Sequence, residues 1–177
     1  MLERNQPDEA ERCLRRALTV FREVGQRLTI CSTPGSLGKL AYQRGQLGDA
    51  RTYLNDSLAL ATAIGASDQL AMHQQTLAEV LLAQGDAAGA RSTNLAALRA
   101  AVDGGEQRYQ FECLVRLAEL DAASGHTALP GRILATLFAQ ETLPSDLRTR
   151  AEALTQSLRP AKNAEPLEQL IAACTIA

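Results

Sequence analysis

The stretch Leu37-Gly38-Lys39-Leu40-Ala41-Tyr42-Gln43-Arg44-Gly45 decides the architecture, because its chemistry returns 40 residues later as Leu77-Ala78-Glu79-Val80-Leu81-Leu82-Ala83-Gln84-Gly85. A third copy opens at Leu117-Ala118 and closes on Gly125. Laid over itself at that shift, the chain forms further columns. Gly25, Gly65 and Gly105 superpose, as do Ala10, Ala50 and Ala90. Leu14 and Leu54 align with Leu134, and Leu18, Leu58 and Leu98 align with Phe138. Asn5 stands in the turn column one period before Gly45. So many columns of matched chemistry define a tandem array.

Each column has a physical reason. Glycine, with asparagine next best, tolerates the left-handed conformation that ends a helix. The expected structural turns are therefore Asn5, Gly25, Gly45, Gly65, Gly85, Gly105 and Gly125. Two stops in each 40-residue period imply two helices per repeat. Between stops the core-facing residues keep helical spacing, as in Ala50, Leu54, Ser57 and Leu58. The small residue after Leu37, Leu77 and Leu117 lets one helix approach its neighbour closely. Turns of two or three residues make adjacent helices antiparallel. The predicted helices are 7–24, 27–44, 47–64, 67–84, 87–103, 106–124, 128–141 and 145–158. Ser67 and Ser145, each followed by Asp, are expected as N-caps. Pro34-Gly35 predicts a kink or a break in the second helix.

Composition agrees with helix. Ala (31) and Leu (28) fill a third of the 177 residues, while Val and Ile together number 10, and β-branched residues lose more entropy in a helix. A formal charge of −2 argues against a dedicated nucleic-acid binder, which needs a basic face. No apolar stretch is long enough to span a bilayer, and no export signal follows Met1. Cys13, Cys31, Cys113 and Cys174 are far apart without a C-x-x-C pair, which reads as reduced thiols packed as small hydrophobes in a cytoplasmic protein.

The spacing resembles the tetratricopeptide family, whose pattern includes an L-G pair and an A-x3-F element. Leu37-Gly38, Leu77-Ala78 and Leu117-Ala118 match the first, and Ala50-x3-Leu54 the second. Ala90-x3-Asn94 and Pro130-x3-Leu134 match half of it. The family's Trp positions hold Pro34, Gln74 and Leu114, and its Tyr positions Ala41, Leu81 and Asp121, so the aromatic anchors are absent. The long period and segments such as Ser57 to Gly65 are similar to a long-repeat subtype. That subtype forms the C-terminal tails of bacterial signal-transducing ATPase regulators, including LuxR-type and SARP-type transcriptional activators. Arg148-Thr149-Arg150-Ala151-Glu152-Ala153-Leu154 is similar to a motif near the end of such tails, although no G-x-x-x-x-G-K-[ST] loop occurs.

The resemblance, which covers residues 5–158, implies an all-α fold: a right-handed α-solenoid of antiparallel helix pairs. Residues 1–158 form the repeat domain, a half repeat plus about three and a half pairs, and 159–177 form a linker and a short C-terminal helix or tail. Leu167, Leu170, Ile171 and Cys174 give that segment an i, i+3, i+4, i+7 stripe. Helix 7–24 lacks a preceding partner, so the chain is expected to be a fragment or a self-associating remnant of a longer regulator, a homodimer through that helix.

In tetratricopeptide arrays the first helix of each pair lines a concave groove. Carried over by position, the groove set is Ser32, Gly35, Lys39, Tyr42 and Gln43, then Met72, Gln75, Glu79, Leu82 and Ala83, then Glu112, Val115, Glu119, Ala122 and Ala123. Glu79, Glu112 and Glu119 outnumber Lys39, so a clamp for a terminal carboxylate is not supported. They read as a solvated helix face or as a groove for a basic or mixed helix, supplied by another protein or by the longer parent. Arg12, Arg15, Arg16 and Arg22 share their helix with Glu9, Glu11 and Glu23, and pairing within the helix explains them without DNA.

No catalytic constellation is present. His73 and His126 are the two histidines, and neither has a metal-ligand neighbour at helical spacing. Ser57, Ser92 and Ser124 lack a nucleophile motif. The reading is a non-enzymatic protein-interaction or regulatory scaffold module without cofactor or metal. A small-ligand inducer sensor and an oligomerisation domain are the alternatives.

Overall fold

The computed structural model describes residues 27–156, 158 and 164–176, with the isolated positions 12, 16 and 19. The expected helix 7–24 and the turns Asn5 and Gly25 otherwise lie outside the described residues; Arg12, Arg16 and Thr19 are helical and exposed. Among the described residues there is no strand. The helices are α1 (Arg27–Gln43), α2 (Leu47–Ile64), α3 (Ser67–Ala83), α4 (Ala87–Asp103), α5 (Gln107–Ala123), α6 (Ala128–Phe138), α7 (Ser145–Thr155) and α8 (Leu167–Ile176). They divide between two compact units, Met1–Thr93 and Asn94–Ala177, with the boundary inside α4.

The C-terminal ends of α1 to α5 follow one chemical rule. Gly45, Gly65, Gly85, Gly105 and Gly125 adopt φ of 74°, 69°, 84°, 69° and 82°. At Gly45 the amide donates to Tyr42 O at 2.9 Å and the next amide, of Gln46, to Ala41 O at 2.9 Å. The same two bonds recur at each of the other four glycines. This Schellman closure satisfies carbonyls that the last turn would otherwise leave orphaned. The short connections reverse the chain and stand successive helices antiparallel.

In the first unit, α1 packs on α2 and on α3. Its core contains Ala41, Ala50, Leu54, Leu77 and Val80, flanked by Tyr42, Tyr53 and Leu58. A Cβ at Gly38 would stand 2.6 Å from Leu54 Cγ and 3.2 Å from Ala50 O, so the missing side chain is what lets α1 close on α2. The break expected at Pro34 does not occur: α1 is continuous through it. Pro34 removes one ladder hydrogen bond, and the packing of α1 on two neighbouring helices holds the helix together through that gap.

In the second unit, Leu95, Leu98, Phe111, Cys113, Leu114, Leu117, Ile133 and Leu137 share a core with Leu170, Ile171 and Cys174 of α8. The C-terminal segment is therefore a docked helix. Ser67 and Ser145 are the first helical residues of α3 and α7, not caps; Ala66 and Pro144 take the cap positions without side-chain bonds.

Candidate partner-binding faces

On the first unit the expected groove residues form a mixed surface. Lys39 and Gln43 of α1 are exposed and Tyr42 is half-buried; on α3, Met72, Gln75 and Glu79 are half-buried and Leu82 is 40% exposed. Lys39 and Glu79 occupy the same repeat position one period apart, as do Tyr42 and Leu82. Ser32 is half-buried and Ala83 exposed. Gly35 is a correction to the set: it is buried against His73 and presents no groove surface.

On the second unit the expectation needs further correction. Val115 is fully buried and offers nothing to a partner, because its stripe faces the core. Glu119 is claimed by arginines: Arg150 Nη2 donates to both its oxygens at 2.8 Å, Arg150 Nε to Oε1 at 3.0 Å, and Arg116 Nη1 lies 3.1 Å away. Glu112 pairs with Arg108 at 3.1 Å, and Arg108 also donates to Asp146 at 2.9 Å. The Arg108 hydrogen bond, reinforced by its charge, holds the Asp146 carboxyl below its ordinary range. This ladder between α5 and α7 neutralises the acidic face that a basic partner would have needed. Ala122 is half-buried and Ala123 exposed.

Two buried polar nodes interrupt the apolar packing. Ser57 Oγ and His73 Nδ1 share a 2.7 Å hydrogen bond where α2 meets α3. The other ring nitrogen, Nε2, is buried without a partner among the described residues. A Cβ at Gly35 would lie 2.0 Å from it, so α1 closes directly over the imidazole. Burial lowers the His73 pKa to about 4 against an opposing pull from Asp68. The Ser–His separation is one that suits a nucleophile and base, and both residues are buried. The second node is Asn94, whose Nδ2 donates to Cys113 O at 2.8 Å while Oδ1 is buried without a partner among the described residues.

A signal for the first node existed in the repeat. His73 falls in the column of Thr33 and Cys113, and all three are buried. Ser57 belongs to the core-facing stripe of α2. The cleft bordered by Leu37, Ala41, Gln46, Asp49 and Tyr53 has a volume of about 30 Å³, far below the several hundred that ligand pockets occupy. No metal-ligand cluster occurs among the described residues, and no helix there is long and apolar enough to cross a membrane.

The family model for the tetratricopeptide repeat matches residues 2–63. No curated protein and no solved structure gives a significant match. The match covers about a third of the chain, and the all-helical build of the described residues is consistent with a tetratricopeptide-like solenoid. Such repeats generally mediate protein–protein interaction and are typically scaffolds without catalysis.

Proposed function

We propose that the chain is a protein-binding module whose working surface is the α1–α3 face of the first unit. The observation that supports this reading is the contrast between the faces. Glu112 and Glu119 are held by Arg108, Arg116 and Arg150 of their own unit, whereas Lys39, Gln43 and Leu82 stand exposed on helices that pack side by side. A preformed helical surface that carries Tyr42, Met72 and Leu82 together with Lys39 and Gln43 suits a partner helix or extended peptide, which binds with little reorganisation of the module. The likeness of Leu37 to Gly45 and of Arg148 to Leu154 to the long-repeat subtype favours a bacterial transcriptional regulator as the parent, acting in the cytoplasm. Association of two copies through the helix expected at 7–24 belongs to the same reading.

The test is photocrosslinking in cells from a reactive residue placed at Lys39, Gln43 or Leu82, with Arg51 and Asn55 on α2 as exposed controls. The expected outcome is one discrete adduct from the first three sites and none from the controls. Equal capture from α2 would refute the assignment of the face.

A further inference from the structure

Residues 159–177 are expected from sequence to form a linker followed by a helix or tail. In the folded chain, α8 lies along α6, with Leu170, Ile171 and Cys174 buried in the core that holds Ile133 and Leu137. The rim of this contact is polar at both ends. Ahead of α8, Arg132 of α6 grips Glu165 through two bonds, Nε to Oε1 at 2.8 Å and Nη2 to Oε2 at 3.0 Å, and the Glu165 amide donates to Thr136 Oγ1 at 3.3 Å. At the far end, Arg99 of α4 donates to the carbonyl of Thr175.

These contacts read features that many helices share. The apolar anchors follow i, i+3, i+4, i+7, the pattern of an amphipathic helix seated in a groove. A last-turn carbonyl is unsatisfied in every helix, so Arg99 recognises a helix end whatever its sequence. Arg132 adds a demand for one carboxylate just upstream, and a two-pronged guanidinium–carboxylate contact fixes direction as well as position. With 10 residues, α8 is shorter than the roughly 12–15 that an isolated helix needs in water. Its helicity therefore depends on the groove, as expected of a segment that folds when it docks.

We infer that the surface of α6 and α4 beneath α8 is a helix-docking groove that α8 keeps closed. The partner it fits is an amphipathic helix of another protein with apolar residues at i, i+3, i+4 and i+7 and a carboxylate two residues before the first of them. The tether holds α8 at a high effective concentration, so such a partner binds by displacing it. The inference rests on the chain being a protein-binding module but uses a different surface. Failure of the α1–α3 crosslinks therefore leaves it standing.

The experiment inserts a site-specific protease sequence between Asn163 and Ala164 of the full chain and cuts it in the folded protein. A labelled peptide of residues 164–177 then competes for the groove, read by fluorescence anisotropy, with circular dichroism following the helices. We expect reversible, saturable exchange after cutting, binding to the uncut chain at least about tenfold weaker, and retention of the helical signal. A peptide carrying Glu165→Lys should bind about tenfold more weakly, and one carrying Ile171→Asp should not bind. The inference is overturned if a large peptide excess leaves the cut segment in place, or if release unfolds residues 94–158, since α8 is then an inseparable part of the core. It is equally overturned if Arg132→Cys and Glu165→Cys on different copies of the uncut chain form a disulfide, because the occupant is then a second copy.

Discussion

Replacing Gly35 with alanine tests whether α1 is held against α3 through the imidazole of His73. On an unobstructed helix interior this change stabilises by about 1 kcal/mol, because glycine loses more backbone entropy than alanine. Here the new methyl would stand 2.0, 2.4 and 2.5 Å from three atoms of the His73 ring. The ring cannot simply turn away, since its Nδ1 is bonded to Ser57. Contacts this short place the overpacking cost in the upper part of its usual range, about 2–3 kcal/mol, so the net effect should be a loss of about 1–2 kcal/mol in the first unit. That corresponds to a roughly 5–30-fold fall in hydrogen-exchange protection, measured over α1 to α3 by mass spectrometry with peptides of the second unit as internal reference.

The same substitution in a His73→Cys background decides the cause. Cysteine is the residue at the equivalent position 113, where it is fully buried. With the ring gone, the clash disappears and Gly35→Ala should become neutral or stabilising, a coupling of about 2 kcal/mol between the two sites. If Gly35→Ala raises protection in the wild-type chain, or lowers it equally in both backgrounds, the imidazole is not what requires the glycine.

Two further predictions concern the buried nodes. The folded His73 pKa, about 4 against 6.5 unperturbed, means that the unfolded chain takes up this proton first as pH falls. The first unit should keep the full contribution above about pH 6.5 and lose up to about 3 kcal/mol by pH 4. Comparing the pH dependence of exchange in wild type and His73→Cys checks this, and identical slopes would contradict it. Asn94→Leu, copying Leu54 and Leu134 of the same column, should stabilise the second unit by about 1 kcal/mol. It removes an unpartnered buried acceptor, while the Cys113 carbonyl keeps its bond within α5. A urea midpoint that falls instead would show that the amide is better satisfied than its geometry implies.

How much was legible follows from where the information sits. Helix ends closed by a glycine were readable to within a residue, because one positive φ and two hydrogen bonds belong to one local motif: Gln43, Ile64, Ala83, Asp103 and Ala123 end their helices beside one. α6 and α7 stop at Phe138 and Thr155, short of the expected 141 and 158, where no glycine marks the stop. The partner face was less legible. Arg150 meets Glu119 across 31 positions and Arg108 meets Asp146 across 38. Pairings of that range leave no periodic trace. Val115 was misplaced because a stripe carried over from a family pattern does not say how wide the buried arc of α5 has become.

The departures from the repeat carry more information than its agreements. Ser57 and His73 occupy the positions that Ala97 and Cys113 occupy one period later, and Asn94 stands where Leu54 and Leu134 stand. Every one of these residues is buried, so the array accepts an apolar solution at each position and elsewhere uses a polar one that leaves an atom unpartnered. Such half-satisfied groups lower the stability of the helices around them. They lie where α1 closes over α2 and α3 in the first unit, and where α4 joins α5 in the second. Helices held less tightly than their apolar counterparts open at lower cost. Local opening is therefore expected at His73 and Asn94 rather than at Gly45, Gly65, Gly85, Gly105 and Gly125, where the same closure repeats.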